Sequence, residues 1–226
     1  MMVLRSMMPT PMDAAWNRIQ HIQGEPLGGS TGAEKRGDFV VKPGASAGHV
    51  VNEYDMNQYL NALGVGVPEA SLQTQDGRPH LMTRFEEGAE QPDLSNPAVK
   101  RQLQQDFVPH AAIANWDMLG MHGDNVLMRP DGTPTYVDLG GAGSYRSMGA
   151  PKGGAWGGDV GELDTMRYLP PHTEQVFGEM DEADIGRSYD HYGGQDAMEQ
   201  ALQYLRDNQT RNVMQQRIED IARQVA

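Results

Sequence analysis

The local sequence pattern changes near residue 88, and this change limits the fold more than any other feature. Between residues 26 and 88, short β-branched segments alternate with glycine turns around a single helix-type segment. After it, helix-type segments dominate apart from one short hairpin at 126–137. We therefore predict an α+β chain with an N-terminal extension (1–25), a small β-sheet lobe carrying one helix (26–88) and a mostly helical lobe (89–226).

Particular segments follow from periodicity and turn residues. In the N-terminal part the pattern predicts a short helix at 14–22, strands at 39–41, 65–68 with 70–72, and 80–85, and a helix at 49–60 that ends by Gly64. In the C-terminal part it predicts a helix over 99–116 that Pro109 kinks or splits, strands at 126–128 and 135–137, and helices near 163–168, 173–177, 195–207 and 211–225.

Composition excludes several classes of function. The formal charge of -13 and pI near 4.8 disfavour binding to a phosphate backbone, so no nucleic-acid partner is expected. No apolar run approaches the roughly 20 residues that cross a bilayer, so we expect a cytoplasmic protein without a membrane span. Cysteine is absent, and no two histidines have His-x-x-x-His spacing, so neither disulfides nor a zinc site is expected.

A glycine-rich turn and a lysine in the N-terminal part suggest phosphate binding. The turn lets backbone N–H groups approach a phosphate, although an ordinary hairpin turn has the same pattern. Its residues are Gly28, Gly29, Ser30, Thr31 and Gly32. Lys42 ends an apolar strand, where its ammonium is placed to reach phosphates with Glu53 on the next helix as its partner. Taken alone, a lysine at the end of a strand is more often a solvated charge.

The second cluster lies around the predicted hairpin. Asn125 comes directly before one apolar strand, and Asp138 comes directly after the next. The two side chains are therefore expected to converge at one end of the hairpin, where their oxygens would bind one hard cation. Asp117 precedes this pair and is the candidate carboxylate for the acceptor hydroxyl.

The order of these motifs resembles the protein-kinase-like superfamily. The resemblance rests on Asn-Trp-Asp at 115–117, Asp-Asn at 124–125 and Asp-Leu-Gly-Gly at 138–141. Within the superfamily, the chain is similar to the divergent branch of phosphatidylinositol kinases, actin-fragmin kinase and HipA-like kinases, and to small kinase-like domains of bacterial effectors and phage proteins. The resemblance spans about residues 27–146. The gap of 13 positions between Asn125 and Asp138 is the usual gap of the family.

This resemblance implies a bilobal kinase-like fold that binds ATP with Mg²⁺ or Mn²⁺. It implies that Lys42 contacts the phosphates and that Glu53 on the next helix pairs with it. It further implies that Asp117 is the catalytic aspartate and that Asn125 and Asp138 bind the metal. Lys42 then also serves catalysis. We further expect the glycine turn and two residues of the strand at 80–85, Met82 and Arg84, to contact the nucleotide.

The chain departs from the family pattern at the catalytic aspartate. Asp117 precedes Asn125 by eight positions, whereas the family gap is five, so the assignment requires an insertion of three residues. The rival is Asp124 in His122-Gly123-Asp124, which resembles the His-Gly-Asp of aminoglycoside phosphotransferases. That assignment would place the metal asparagine at 129, where the chain has Arg129. We therefore assign Asp117.

The expected activity is transfer of the γ-phosphoryl group of ATP to a hydroxyl acceptor, which we expect on a protein. AMP transfer or glutamylation on the same fold remains an alternative, because a fold does not fix which phosphorus is attacked. A non-catalytic pseudokinase that senses nucleotide or serves as a virion structural module is another. Arg146, just past the metal loop, is a candidate contact for phosphate or an acidic substrate, or a surface residue.

Overall fold

The structure is a computed structural model that describes residues 10–28 and 31–226. The strands are β1 (Glu25–Gly28), β2 (Ala33–Arg36), β3 (Phe39–Lys42), β4 (Ala70–Gln75), β5 (Arg78–Arg84), β6 (Val126–Met128) and β7 (Pro134–Tyr136). The helices are α1 (Pro11–Ile19), α2 (Ala47–Leu63), α3 (Pro97–Gln105), α4 (Phe107–Ala112), α5 (Glu162–Thr165), α6 (Glu174–Phe177), α7 (Glu182–His191), α8 (Gly194–Ala201) and α9 (Asn208–Val225). Short 3₁₀ turns occupy Gly153–Ala155, Pro171–Thr173 and Leu202–Tyr204.

The N-terminal part is a five-stranded antiparallel sheet with strand order β1-β2-β3-β5-β4. Side chains of a strand alternate between the two faces of a sheet, so Val41 and its partner Met82 share one face while Lys42 lies on the other. The α1 helix packs its Met12 and Trp16 side chains on the first face. The α2 helix contacts β4 and β5.

The first helix begins earlier than predicted. It runs from Pro11, not from Ala14, because Thr10 and Asp13 form a reciprocal capping box and Pro11 occupies the first helical position. The helix predicted at 49–60 is confirmed and extends to both sides. Ser46 caps its start, and Gly64 ends it with φ of +89°.

The first part of the strand predicted at 65–68 with 70–72 is absent, while its second part is confirmed as the start of β4. Residues 65–68 form a connection, and β4 begins only at Ala70. The Val65 N–H donates to the Leu60 carbonyl and completes the end of α2, while the Gly66 carbonyl accepts the N–H of Tyr136 from β7. These backbone groups therefore bond to a helix end and to the second lobe, and not to the sheet.

The C-terminal part is helical around the β6–β7 hairpin, as predicted. The long predicted helix is divided into α3 and α4 at Asp106, before Pro109, which lies in the first turn of α4 where its missing N–H costs nothing. The α7 helix was not predicted, although Asp181 and Asp184 form a capping box at its start. Its sequence is mostly polar with Gly186 in the middle, which obscures the helical period.

No helix within the described part of the chain is long and apolar enough to cross a membrane. The C-terminal core joins residues of α3, α4, α8 and α9 to the hairpin and to the inner face of α2. This packing places the end of the hairpin opposite the end of β3, where the candidate site lies.

Candidate active site

A cleft of about 380 Å³ lies between the two parts of the molecule. Apolar side chains line it from both sides, and they are Leu27, Ala33 and Val40 from the sheet and Leu127 and Val137 from the hairpin. Thr83, Arg84 and Glu86 add polar side chains to the lining. A separate polar group, which we call the polar end, consists of Lys42, Asp124, Asn125 and Asp138. An apolar slot with a few convergent charged groups is the usual form of a site for a flat ring that carries a charged tail.

Lys42 joins three elements at the polar end of the cleft. Its Nζ lies 2.8 Å from Glu53 Oε1 on α2 and 3.3 Å from Asp138 Oδ1 after β7. It also donates to the Val137 carbonyl at 3.3 Å. The ion pair expected between Lys42 and Glu53 is present, with both side chains buried. The solvated-charge reading of Lys42 is therefore wrong.

The charges of this cluster stabilise one another. Burial alone would lower the pKa of Lys42, but the carboxylates of Glu53 and Asp138 outweigh it and raise the pKa. Burial alone would raise the pKa of Asp138. The charge of Lys42 outweighs this effect and lowers the pKa, and so does the Gly140 N–H, which donates to Asp138 Oδ1 at 3.0 Å. Lys42 is therefore cationic and Asp138 anionic at neutral pH, and the Asp138 side chain remains 45% exposed at the cleft.

The α2 helix holds the loop that follows Asp138. His49 Nε2 lies 2.8 Å from the Gly140 carbonyl, and Asn52 Nδ2 donates to the Ala142 carbonyl at 2.9 Å. His49, Asn52 and Glu53 share one buried helix face at i, i+3 and i+4. His49 and Asn52 were not predicted as site residues, although polar residues along one face of a predicted helix are a readable signal.

The structure brings the two predicted metal ligands to the same cleft, as the hairpin pattern predicted. Asn125 Nδ2 donates to the Asp117 carbonyl at 2.6 Å, which leaves the Asn125 amide oxygen free to accept a cation. Asp138 uses Oδ1 for Lys42 and Gly140 and keeps its second oxygen for a ligand. An amide and a carboxylate oxygen fit Mg²⁺ or Mn²⁺. Across 10–28 and 31–226 no group of three or more His, Asp or Glu forms a metal cluster.

The two candidate catalytic aspartates have different environments. Asp124 is exposed, lines the cleft, and accepts only a long 3.4 Å hydrogen bond from the His122 N–H. Asp117 is half-buried, and burial followed by the nearby Asp138 charge raises its pKa. A carboxylate with a raised pKa is suited to accept a proton. The choice of Asp117 over Asp124 stays a prediction.

The glycine turn is only partly within the described residues. It connects β1 to β2, whereas the next strand along the chain was predicted only at 39–41, which is β3. Gly28 lines the cleft with φ of +82°, and Gly32 has φ of +74°. Both angles are ones that glycine adopts readily. Gly29 and Ser30 lie outside the described residues, and Thr31 and Gly32 do not line the cleft, so phosphate binding by the turn stays a prediction.

The expectation for Met82 is wrong as far as its side chain is concerned. Met82 is fully buried in the cluster between the sheet and α1, and Thr83 lines the cleft in its place. The reason is the two-residue alternation of a strand, which turns Met82 and Arg84 to the same face. Arg84 lines the cleft, but its guanidinium lies 5.0 Å from the centroid of the Phe39 ring on the far face.

Lys152 is a further residue that sequence reasoning missed. Its Nζ donates at 2.8 Å to the Ala114 carbonyl, before Asp117, and at 2.8 Å to the Gly141 carbonyl, after Asp138. It therefore ties together the two segments that carry the candidate aspartates. Lys152 lies in a glycine-rich stretch without periodicity, so no local pattern indicated this contact.

Comparison with known proteins gives a likeness of fold. No protein-family model and no curated protein sequence matches the chain. The crystal structure of CtkA, a proinflammatory kinase of Helicobacter pylori, is similar with a TM-score of 0.54 and 12% identity over 92% of this chain and 95% of that chain. HipA of Shewanella oneidensis MR-1, in a complex with HipB and operator DNA, has a TM-score of 0.44 and 15% identity, and the chain spans 59% of its length.

The first of these likenesses extends over both parts of the molecule and nearly the whole of each chain. It agrees with the five-stranded sheet, the α2 helix and the helical remainder described above. The chain has a bilobal α+β fold similar to that of this kinase structure.

Proposed function

We propose that the chain is an ATP-dependent and divalent-metal-dependent phosphotransferase that moves the γ-phosphoryl group to a hydroxyl on a protein. The observation that carries the proposal is the contact of Lys42 with both Glu53 and Asp138 at the polar end of an apolar cleft. Three separate elements converge there on one buried ammonium. The Asp138 carboxylate of this cluster is 45% exposed at the cleft, where it can bind a ligand.

The roles of the residues follow from their positions. The apolar side chains of the two lobes would hold the adenine ring, and Lys42 would donate to phosphate oxygens. Asn125 and Asp138 would hold the metal, which supplies positive charge against the phosphates. Asp117 would orient the acceptor hydroxyl and accept its proton. The three N–H groups of Lys42 already have partners, so Lys42 would exchange its contact with Asp138 or with the Val137 carbonyl for a phosphate oxygen when the nucleotide binds.

The first test is nucleotide binding by calorimetry, with ATP titrated into the protein with and without millimolar Mg²⁺ or Mn²⁺. We expect binding that requires the metal and is lost in Lys42→Met. Lys100→Met is a matched control, since Lys100 lies on α3 and does not line the cleft. ATP binding that ignores both the metal and Lys42 would contradict the proposal.

The second test separates phosphorylation from AMP transfer. Parallel reactions receive ATP labelled at the γ or at the α phosphate, with host lysate as the source of protein acceptors. Label from the γ position alone supports the proposal. Label from the α position shows AMP transfer, and metal-dependent binding without any transfer indicates a pseudokinase.

A further inference from the structure

His110, on α4, contacts both of the segments that carry the candidate aspartates. Its Nδ1 lies 3.0 Å from Asn115 Nδ2. An amide nitrogen only donates, so Nδ1 accepts this hydrogen bond and the imidazole carries its proton on Nε2. The ring also packs on the ring of Tyr136, with 4.1 Å between the two centroids. Asn115 lies two residues before Asp117. Tyr136, on β7, lies two residues before Asp138.

The backbone between His110 and Asn115 has an unusual conformation. Ala114 has φ of +49°, in the left-handed region that a residue with a Cβ rarely adopts. Its N–H donates to the Ala111 carbonyl at 3.0 Å. The Asn115 N–H donates to the His110 carbonyl at 2.9 Å. These two bonds form a helix-ending turn in which glycine usually takes the place of Ala114. The side-chain bond between His110 and Asn115 spans the same turn and holds the strained residue in place.

The His110–Asn115 pair is fully buried and keeps two polar atoms without partners. Both side chains have 0% exposure. Within residues 10–28 and 31–226, neither His110 Nε2 nor Asn115 Oδ1 has a hydrogen-bond partner. A buried polar atom without a partner destabilises a fold, and apolar side chains of the same shape can replace a buried pair without loss. Stability alone therefore does not explain the pair.

The other contact of His110 is with a ring that is itself held in place. The Tyr136 hydroxyl donates to Asp106 Oδ2 at 2.8 Å, and the Tyr136 N–H donates to the Gly66 carbonyl at 2.9 Å. Burial lowers the pKa of His110 to about 3, so its imidazole is neutral at pH 7 and keeps Nδ1 as an acceptor. The hairpin strand and the turn after α4 are therefore joined through one neutral side chain.

On the basis of the proposed function, we propose that His110 and Asn115 are positioning residues, which set the place of Asp117 relative to Asp138 during transfer. Neither is among the described residues that line the cleft, so the pair acts through the backbone and not on the nucleotide. A displacement of about 1 Å in a group that must meet the acceptor costs about 10²-fold in rate. Loss of the pair should therefore slow transfer and leave ATP binding intact.

The main test replaces both members of the pair in the full chain, as His110→Leu with Asn115→Leu. Leucine has the branched shape of asparagine and needs no hydrogen bond. Urea denaturation measures stability, calorimetry measures the Kd for ATP with Mg²⁺ or Mn²⁺, and γ-labelled ATP at saturation with host lysate measures transfer. We expect stability no lower than that of the wild type, an unchanged Kd, and transfer slowed by about 10–100-fold. A stable double variant that transfers at the wild-type rate would overturn the inference.

Two single substitutions separate the hydrogen bond from the loss of the ring. His110→Leu leaves the Asn115 amide without its acceptor. His110→Asn places an oxygen at the position that Nδ1 has along the side chain, so it should restore most of the rate that His110→Leu loses. If His110→Asn transfers no faster than His110→Leu, the hydrogen bond does not position Asp117 and the inference is wrong.

Ser188→Ala is the matched control. The Ser188 hydroxyl, on α7, is equally buried, accepts the Val108 N–H of α4 at 2.9 Å and donates to the Gln105 carbonyl at 2.8 Å. Its loss should lower stability and leave the transfer rate of the folded protein unchanged. An equal fall in rate in Ser188→Ala and His110→Leu would overturn the inference, because loss of packing around α4 would explain both.

Hydrogen exchange tests the inference without activity. The Asn115, Met118 and Gly120 amides, which bond within this turn and the Asp117 segment, should exchange faster in the double variant, while those of α9 keep their rates. Unchanged exchange at the three amides would overturn the inference and leave the proposed function standing. No transfer by the wild type to any acceptor would contradict the proposed function, and hydrogen exchange would still decide whether the pair holds the Asp117 segment.

Discussion

Two buried ion pairs of this molecule have almost the same distance between nitrogen and oxygen, but their surroundings differ. Lys42 and Glu53 are 2.8 Å apart within the N-terminal lobe, beside the cleft, and Arg217 and Glu162 are 2.9 Å apart within the helical lobe. Lys42 also forms an ion pair with Asp138, whose side chain is 45% exposed at the cleft. The Arg217 pair has no such opening, since Arg217 is fully buried.

The hydrogen bonds show the same contrast. Arg217 donates to four backbone carbonyls, and its guanidinium lies 4.9 Å from the centroid of the Trp156 ring. The carbonyls are those of Ala111, Ala112, Gly157 and Asp159. A buried charge whose partners are all internal fixes the packing of chain segments. A buried charge whose network ends at an open carboxylate is available to a ligand, so the two pairs should respond differently to mutation.

The closed pair should give the largest loss of stability. Arg217→Met leaves Glu162 buried without its cation, so the free energy of unfolding should fall by about 3–5 kcal/mol. Urea denaturation measures it. Replacing Glu162 by Leu in the same chain should restore much of the loss, because an apolar pair needs no compensation. A change below about 1 kcal/mol in the single variant would show that the closed pair does not stabilise the fold.

The open network should affect turnover more than stability. Asp138→Asn removes the carboxylate that faces the cleft, so transfer should fall by about 10²–10³-fold and metal-dependent ATP binding should weaken. Asp131→Asn is a matched control, because Asp131 is an exposed aspartate at the turn of the same hairpin and bonds only Thr133. Equal effects of the two substitutions on transfer would remove the distinction between the pairs.

A smaller effect on turnover should identify the base. Asp117→Asn should lower the turnover by about 10²-fold with little change in nucleotide affinity, because Asp117 acts on the acceptor. Asp124→Asn should affect transfer much less. Initial rates at saturating ATP, together with calorimetry, measure both quantities. If Asp124→Asn abolishes transfer while Asp117→Asn retains it, the His-Gly-Asp assignment is correct.

The smallest effect, counted per pH unit, concerns pH and links the two regions through Lys152. Burial, and then the charge of Arg217, lowers the pKa of Lys152 to about 7, with Arg146 acting in the same sense and Glu162 against it. The unfolded lysine titrates near 10.4, so between about pH 7 and 10 the unfolded chain binds more protons. The stability contributed by Lys152 should therefore rise with pH in this window.

This rise is at most about 1.4 kcal/mol per pH unit. Urea denaturation of the wild type and Lys152→Met at several pH values measures it, since the difference between the two proteins isolates the lysine. The neutral amine keeps two N–H groups for the carbonyls of Ala114 and Gly141, so the contacts survive deprotonation. Parallel curves for the two proteins would contradict this account.

Much of the fold was readable from the sequence because its signals are local. The alternation near β3, the glycine that ends α2 and the turn between β6 and β7 each lie within a few residues of the element they define. The predictions were wrong where contacts between residues far apart in the chain decide the local structure. Asp106 ends α3 while its carboxylate accepts the hydroxyl of Tyr136 at 2.8 Å, and residues 65–68 bond to a helix end and to β7.

The candidate site divides in the same way. The sequence by itself determined the order of Lys42, Asn125 and Asp138 and their places at the ends of strands, because strand periodicity and hairpin length are local properties. Only the tertiary structure decided that Met82 faces away from the cleft, that Lys152 joins two loops and that His110 packs on Tyr136. These contacts join residues far apart in the chain, and no local period or turn residue encodes which distant segments will meet.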